Sequence, residues 1–254
     1  MDGVLSLLLY GSRARGDATA DSDLDLLVAT AGGPHRVRDN GRMTVSWYPQ
    51  DHLLRRARSG DLFAFHLVSE GTALFEKQPV LTRLRRAFTY RADYRREIRQ
   101  ASDVGWCLLH HAERVRDSLG FNRRMAWSAH SVLVAAAAEQ RTPVFSADGL
   151  AAFAGSPGAA RVIKAKRDPR IDPALLADFR QLLTEHGSAE PVALPTVSAE
   201  QGRFHADRNP AGRAALRPLQ ATVGSTATAL VEQTGTAAAM MDTAPTADRR
   251  RAGP

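Results

Sequence analysis

Residues 10–28, YGSRARGDATADSDLDLLV, constrain this chain more than any other stretch of its sequence. An apolar run, residues 4–10, ends at a Gly-Ser pair, Gly11 and Ser12. Two aspartates, Asp23 and Asp25, then stand one residue apart at the head of the next apolar run, residues 24–28. If both runs are strands joined through a short helix near residues 13–17, the aspartates occupy positions i and i+2. Such residues point to one face of a strand, with Cα atoms about 6–7 Å apart. Carboxylates held that close repel unless a cation joins them, and hard oxygen ligands select Mg²⁺ or Mn²⁺, which keep positions open for water and phosphate oxygens. Gly11 permits close backbone approach, while the amides around Ser12 and its hydroxyl can grip phosphate. The residues therefore describe a site for a nucleoside triphosphate and its metal.

Around this motif, residues 1–78 alternate strand-like and helix-like signals, the mark of an α/β or α+β unit built on one sheet. A third strand is expected at residues 43–48 after the turn at Asn40-Gly41, and an edge strand at residues 72–76. Helices are expected at residues 50–59, stopped by Gly60, and at residues 62–69, ending at Gly71. After Pro79 only helical patterns remain. These are residues 80–90; a long helix over 92–119 closed by Gly120; a helix capped by Asn122 and running to about 141; and a short one capped by Ser146. In DPALLADFRQLLTEHG, Asp172 is the N-cap, Pro173 the first helical residue and Gly187 the stop. Residues 79–188 thus read as a helical bundle. From 189 to 254 Ala, Thr, Pro, Gly and Arg dominate with little apolar periodicity, so this segment is expected to be a disordered tail. In it GTAAAMM is expected to flicker helically and RRR at 249–251 to be solvated.

The segment GSRARGDATADSDLD resembles the signature of the polymerase-β-type nucleotidyltransferase superfamily: Gly-Ser, ten residues, then Asp-x-Asp. More narrowly it is similar to the minimal nucleotidyltransferases of bacteria, with Gly11, Ser12, Arg15, Gly16, Ser22, Asp23 and Asp25 all in place. The resemblance implies an α+β fold, a palm-like mixed sheet with flanking helices, followed by an all-α domain. It implies in-line attack of an acceptor hydroxyl on the α-phosphate of an NTP, organised by two metal ions, with release of pyrophosphate. AMP from ATP is the expected cargo. Asp23 and Asp25 would be the catalytic metal ligands for Mg²⁺ or Mn²⁺. Gly11 and Ser12 would hold the β- and γ-phosphates, Arg13 or Arg15 would neutralise charge there, and Ser22 completes the nucleotide-binding set.

The sequence departs from this pattern in two places. Active relatives place a third carboxylate on a following strand, whereas RMTVSWYP offers Ser46 or Trp47 at that location. Asp39, Asp51 and Asp61 are near in sequence, yet each has a simpler role, in a turn, at a helix start and after a helix stop. The site either works with two aspartates and a borrowed group or binds nucleotide and turns over poorly. Relatives also commonly have a helix before the first strand, so the start codon is expected upstream.

The helical half resembles the domains fused behind such transferases, which are distantly similar to HEPN bundles. RMAWSAH supplies Arg124 and His130 at a spacing compatible with HEPN ribonucleases, although a helix His is more often satisfied by a neighbour. His110 and His111 lack metal-site partners at ligand spacing and read as helix surface, and the single cysteine, Cys107, reads as buried and inert.

Of the formal charge of +7, the excess lies in the middle: residues 79–188 hold 18 Lys/Arg against 11 Asp/Glu, while residues 1–78 hold 9 against 10. Such a surface suits an anionic partner, or is simply Arg-rich and solvated. Protein or RNA acceptors fit it better than a cationic drug, as an antibiotic-modifying transferase would bind, although a small-molecule acceptor stays open. The alternative function is a low-activity nucleotide-binding module of the antitoxin kind. No apolar run approaches the roughly 20 residues that span a bilayer, so the expectation is a cytoplasmic protein without a membrane partner, with a dimer through the helical half left open.

Overall fold

The computed structural model describes residues 3–20, 22–216 and 219. Its strands are β1 (Val4–Tyr10), β2 (Leu24–Thr30), β3 (Arg36–Asp39), β4 (Met43–Pro49) and β5 (Thr72–Glu76). They make one mixed sheet in the order β3-β4-β2-β1-β5, with β2 and β4 parallel and the other neighbours antiparallel. Four of these strands are those the period-2 patterns indicate. Arg36–Asp39, RVRD, has one apolar residue and no such signal; it is a strand because the turn through Asn40 and Gly41 folds it back on β4. In that turn the Gly41 amide donates to Asp39 Oδ1 at 2.6 Å.

The register decides where the chemistry sits. Tyr10 pairs with Asp25 and Asp25 with Thr44, forming the end row of the sheet; Leu8, Leu27 and Ser46 form the next row, and Ser6, Ala29 and Tyr48 the third. Because cross-strand partners share a face, Asp25 belongs to the face that carries the core. Leu8, Leu27, Ala29 and Tyr48 are buried there against Leu53, Phe63, Leu67, Leu81 and Leu84. These come from α2 (Gln50–Arg58), α3 (Leu62–Glu70) and α4 (Val80–Ala87); α1 is only the short turn Ser12–Arg15 after β1. Asp61 caps α3, accepting from the amides of Phe63 and Ala64, and holds the buried Arg56 at 2.8 Å. Phe63 and Leu67 of α3 face the sheet, while Leu62 and Phe65 of the same helix belong to the helical core, so α3 is shared by both cores.

The helical part consists of α5 (Arg95–His110), α6 (Ser118–Glu139), α7 (Ala147–Ala154), α8 (Pro157–Lys164), α9 (Pro173–His186), α10 (Val197–Ala206) and α11 (Pro210–Ala215). The long helix expected over 92–119 is broken. After α5 comes a 3₁₀ turn, Ala112–Arg114, and Asp117 then starts α6 by accepting from the Gly120 amide at 2.8 Å. Gly120 therefore lies in the first turn of a helix rather than stopping one. Asn122 is not a cap: it is fully buried, and its Nδ2 donates to the carbonyls of Asp168 and Arg170. A carboxylate that meets an orphan helical amide outweighs a nearby glycine as a boundary signal. Ser146 and Asp172 cap α7 and α9 as their sequences indicate. At Gly105 the helices come so close that a Cβ would lie within 2.8 Å of Leu183, Ser128 and Phe179.

Disorder from residue 189 onward was the expectation, and α10 and α11 overturn it for the described part. Thr196 caps α10, Phe204 and Glu200 are buried, and Gly212 leaves room for the Phe204 ring. The apolar residues here are too sparse for a periodic signal; tertiary burial against α5 supplies the stability that local pattern lacks. GTAAAMM and RRR lie outside the described residues. Among the described residues no helix is long and apolar enough to cross a membrane.

Candidate active site

The Gly-Ser turn and Asp25 meet at the end row of the sheet. Gly11 has φ of 78°, a left-handed conformation that favours glycine, and a Cβ on it would lie 2.9 Å from Asp25 Oδ2. The missing side chain is thus what lets the turn sit against that carboxylate. Gly11→Ala is expected to cost about 1–2 kcal/mol of stability from the backbone conformation and contact. Urea unfolding reads the effect.

Beneath the turn lies a carboxylate that no sequence signal singles out. Glu70, at the end of α3, accepts from the Gly11 amide at 2.7 Å, from Arg15 Nη1 at 2.5 Å and from His66 Nδ1 at 2.6 Å. Burial alone would raise its pKa, but the His66 hydrogen bond and charge and then Arg15 outweigh it, bringing the carboxyl down to about 2. Glu70 therefore anchors the turn as an anion. Its only local hint is His66 four residues earlier, one helical turn away.

Asp23, just before β2, faces the helical part of the chain. Arg167 Nη2 contacts its Oδ1, and Lys166 Nζ reaches its Oδ2 at 3.3 Å. Both cations come from the 3₁₀ turn Ala165–Arg167 that follows α8. The sequence registered them only within the basic excess of residues 79–188; their placement against Asp23 is a product of packing.

The remaining expected residues have defined partners. Arg13 Nη2 donates to the Ser22 carbonyl at 2.8 Å, clasping the loop between α1 and β2, and Ser22 Oγ accepts from the Thr19 amide at 2.8 Å. Arg15 pairs with Asp17 as well as Glu70. Ser12 is the first residue of α1. The Gly11 amide is engaged by Glu70, so the gripping groups this turn offers to an outer ligand centre on Ser12. Tyr10, buried in the end row beside Asp25, has its hydroxyl pKa pushed up by burial first and by the charge of Asp25 next.

On β4 the residue beside Asp25 is Thr44, with Ser46 one row deeper beside Leu27 and Trp47 beside Val28. Asp39 ends β3 and pairs with Thr44, in the row of Asp25, with its Oδ1 accepting from the Gly41 amide; Asp51 lies in the first turn of α2 and Asp61 at the α3 cap. In the helical half, His130 Nε2 meets the Phe145 carbonyl at 3.0 Å, and burial and then the neighbouring His66 push its pKa down to about 4. A neutral imidazole donating to a carbonyl has a structural role.

The donor set can be tested against a divalent ion. Asp23 already attracts two cationic groups, and the Asp25 carboxylate packs against the Gly11 turn, where a Cβ would crowd its Oδ2. Both are hard carboxylate donors, the ligand type of Mg²⁺ and Mn²⁺.

Comparison with known proteins agrees with this reading of the N-terminal part. Residues 1–73 match the family model of the nucleotidyltransferase domain. Among solved structures, the chain is similar to a nucleotidyltransferase-like protein from Exiguobacterium sibiricum 255-15, with 18% identity over 72% of this chain and 69% of that one and a TM-score of 0.31. A search of curated proteins found no match. The end of β1, the Gly-Ser turn and the aspartates at the head of β2 all fall inside the segment that matches the nucleotidyltransferase domain.

Proposed function

We propose that this chain moves a nucleoside monophosphate, AMP, from an NTP, ATP, to the hydroxyl of a protein, RNA or small-molecule acceptor, with pyrophosphate as leaving group. The observation that carries the reading is the turn at Gly11 packed on Asp25 with Asp23 facing Lys166 and Arg167. Asp23 and Asp25 would hold Mg²⁺ or Mn²⁺, which when bound supplies Lewis-acid polarisation of the α-phosphate. Ser12 orients the outer phosphates, and Glu70 keeps the turn from opening as they bind. Lys166 and Arg167 hold the charge of Asp23 in the nucleotide-free chain and turn to the triphosphate when it arrives, a transfer from one anion to another of the same corner.

Incubation with labelled ATP, Mg²⁺ and candidate acceptors tests the proposal. Pyrophosphate release and acceptor labelling support it, and their absence with intact nucleotide binding favours the second reading, a regulatory module of low turnover. That reading has its own observation: Thr44, not an acid, stands beside Asp25 on β4.

The cation transfer makes an expected result of unusual sign. Lys166→Ala/Arg167→Ala should raise the KM for ATP roughly tenfold, the loss of one or two charge-assisted hydrogen bonds to phosphate. The same change should lower the Mg²⁺ concentration needed for half-maximal activity, because the competing cations have left Asp23. Rate measurements over a grid of ATP and Mg²⁺ concentrations separate the two shifts. If the residues serve only to hold the two parts of the chain together, both quantities stay put.

A further inference from the structure

A second group of ligating side chains lies away from the nucleotide corner, where α10 packs on the end of α5. Cys107 and His111 are four residues apart, one helical turn, so they project from the same side of α5 and its cap. Glu200 of α10 faces them. One ligand atom from each residue lies within 4.8 Å of the others, and all three residues are buried.

The hydrogen bonding of this cluster is incomplete in a specific way. Among the described residues neither His111 Nε2 nor Glu200 Oε1 has a hydrogen-bond partner, although His111 is 3% exposed, Glu200 is 0% exposed and the two atoms are 3.9 Å apart. Buried polar atoms left unpaired are costly, so two that converge on one point call for a shared partner. The other Glu200 oxygen is not orphaned: Arg203 Nε donates to Oε2 at 2.9 Å, and Arg203 is itself 3.5 Å from Asp103. That arrangement turns Oε1 inward, as carboxylates supporting a metal are held by outer partners.

We propose that Cys107, His111 and Glu200 form a binding site for a zinc-type divalent cation that fastens α10 to α5. Sulfur, imidazole nitrogen and carboxylate oxygen are the ligand types of zinc, whereas magnesium and calcium avoid thiolate. Three protein ligands leave the fourth tetrahedral position to a water. Binding removes the proton from Cys107 Sγ, which passes to solvent, and the thiolate and carboxylate together neutralise the ion. Burial and then the charge of Glu200 keep the metal-free thiol protonated, so the cation takes the place of that proton. His111, expected at the helix surface, and Cys107, expected to be inert, acquire this role only because Glu200, far along the chain, folds onto them.

The test uses the full chain with Asp23→Asn/Asp25→Asn, so that the nucleotide corner does not contribute, and compares it with the same chain carrying Cys107→Ser or Glu200→Gln. Zinc is titrated in competition with a chromophoric chelator, and Co²⁺ is added to the metal-free protein while the thiolate-to-cobalt charge-transfer absorption is followed. One equivalent of zinc, a thiolate band with cobalt, and at least tenfold weaker binding in both variants are expected. Absence of the cobalt band, or zinc affinity unchanged by Cys107→Ser and Glu200→Gln, overturns the proposal. Circular dichroism reports whether each variant is folded. The cobalt band is read on the chain with this triad intact, so it decides the matter even if a substitution there unfolds α10. Loss of nucleotidyl transfer would leave this result untouched, because the two sites share no residue.

Discussion

Asp25→Ala, alone or with Asp23→Ala, is expected to lower nucleotide turnover about 10³-fold or more, equivalent to about 4 kcal/mol of lost transition-state stabilisation. The size follows from position. Asp25 lies in the end row of the sheet between Tyr10 and Thr44, with its Oδ2 against the Gly11 turn. No acid on β4 can stand in for it, and Glu70 is engaged by the Gly11 amide, Arg15 and His66. The fold should survive, because the rows beneath, with Leu8, Leu27 and Ala29 fully buried, do not depend on the carboxylate. Losing the Asp23 pairs with Lys166 and Arg167 should cost no more than about 1 kcal/mol, as both cations are substantially exposed. Release of labelled pyrophosphate, with thermal unfolding as the control for integrity, measures both. Turnover that persists in the doubly substituted chain would remove the proposed function altogether.

Glu70→Gln is expected to produce the largest loss of stability, about 3 kcal/mol at neutral pH. The carboxyl pKa falls from the ordinary 4.5 to about 2 in the folded chain, and its side chain is only 4% exposed, so little of the stabilisation is screened. The sign follows from linkage. A depressed folded-state value means that the stabilisation is fully present above about pH 4.5 and is lost as pH falls toward 2. The native chain should therefore weaken through that window by about 3 kcal/mol more than the Gln variant does, as read by urea unfolding at a series of pH values. Turnover should drop as well, since the amide of Gly11 would keep a weaker acceptor and Arg15 would lose its buried partner. A variant with wild-type stability at neutral pH and the same acid profile would show that Glu70 does not anchor the turn.

Local signals reached as far as residues whose neighbours are close in sequence. The apolar run 4–10, the caps Ser146 and Asp172 and the stop at Gly187 are visible because period, capping and glycine act within a few residues. Gly120 looks like a helix stop but lies in the first turn of α6, which the Asp117 carboxylate begins, and RVRD of β3 has no apolar alternation to mark it as a strand. Glu70 could not be singled out, for an acid at the end of a helix is ordinary until the Gly11 amide arrives from the turn after β1, 59 positions away. Lys166 and Arg167 were part of a basic excess whose direction in space no count reveals, and they meet an aspartate more than 140 positions distant.

By itself the sequence determined the chemistry available to this protein: a glycine turn and an aspartate pair on a strand, a sheet followed by helices, and a basic helical half. Only the tertiary structure decided which charges meet. Glu70 under the turn, Thr44 beside Asp25, Lys166 and Arg167 on Asp23, and Glu200 on Cys107 and His111 are all contacts between distant segments. The physical reason is range: backbone geometry and periodicity are set by near neighbours, whereas ion pairing and ligand convergence depend on how separate elements pack, which burial of the two cores fixes.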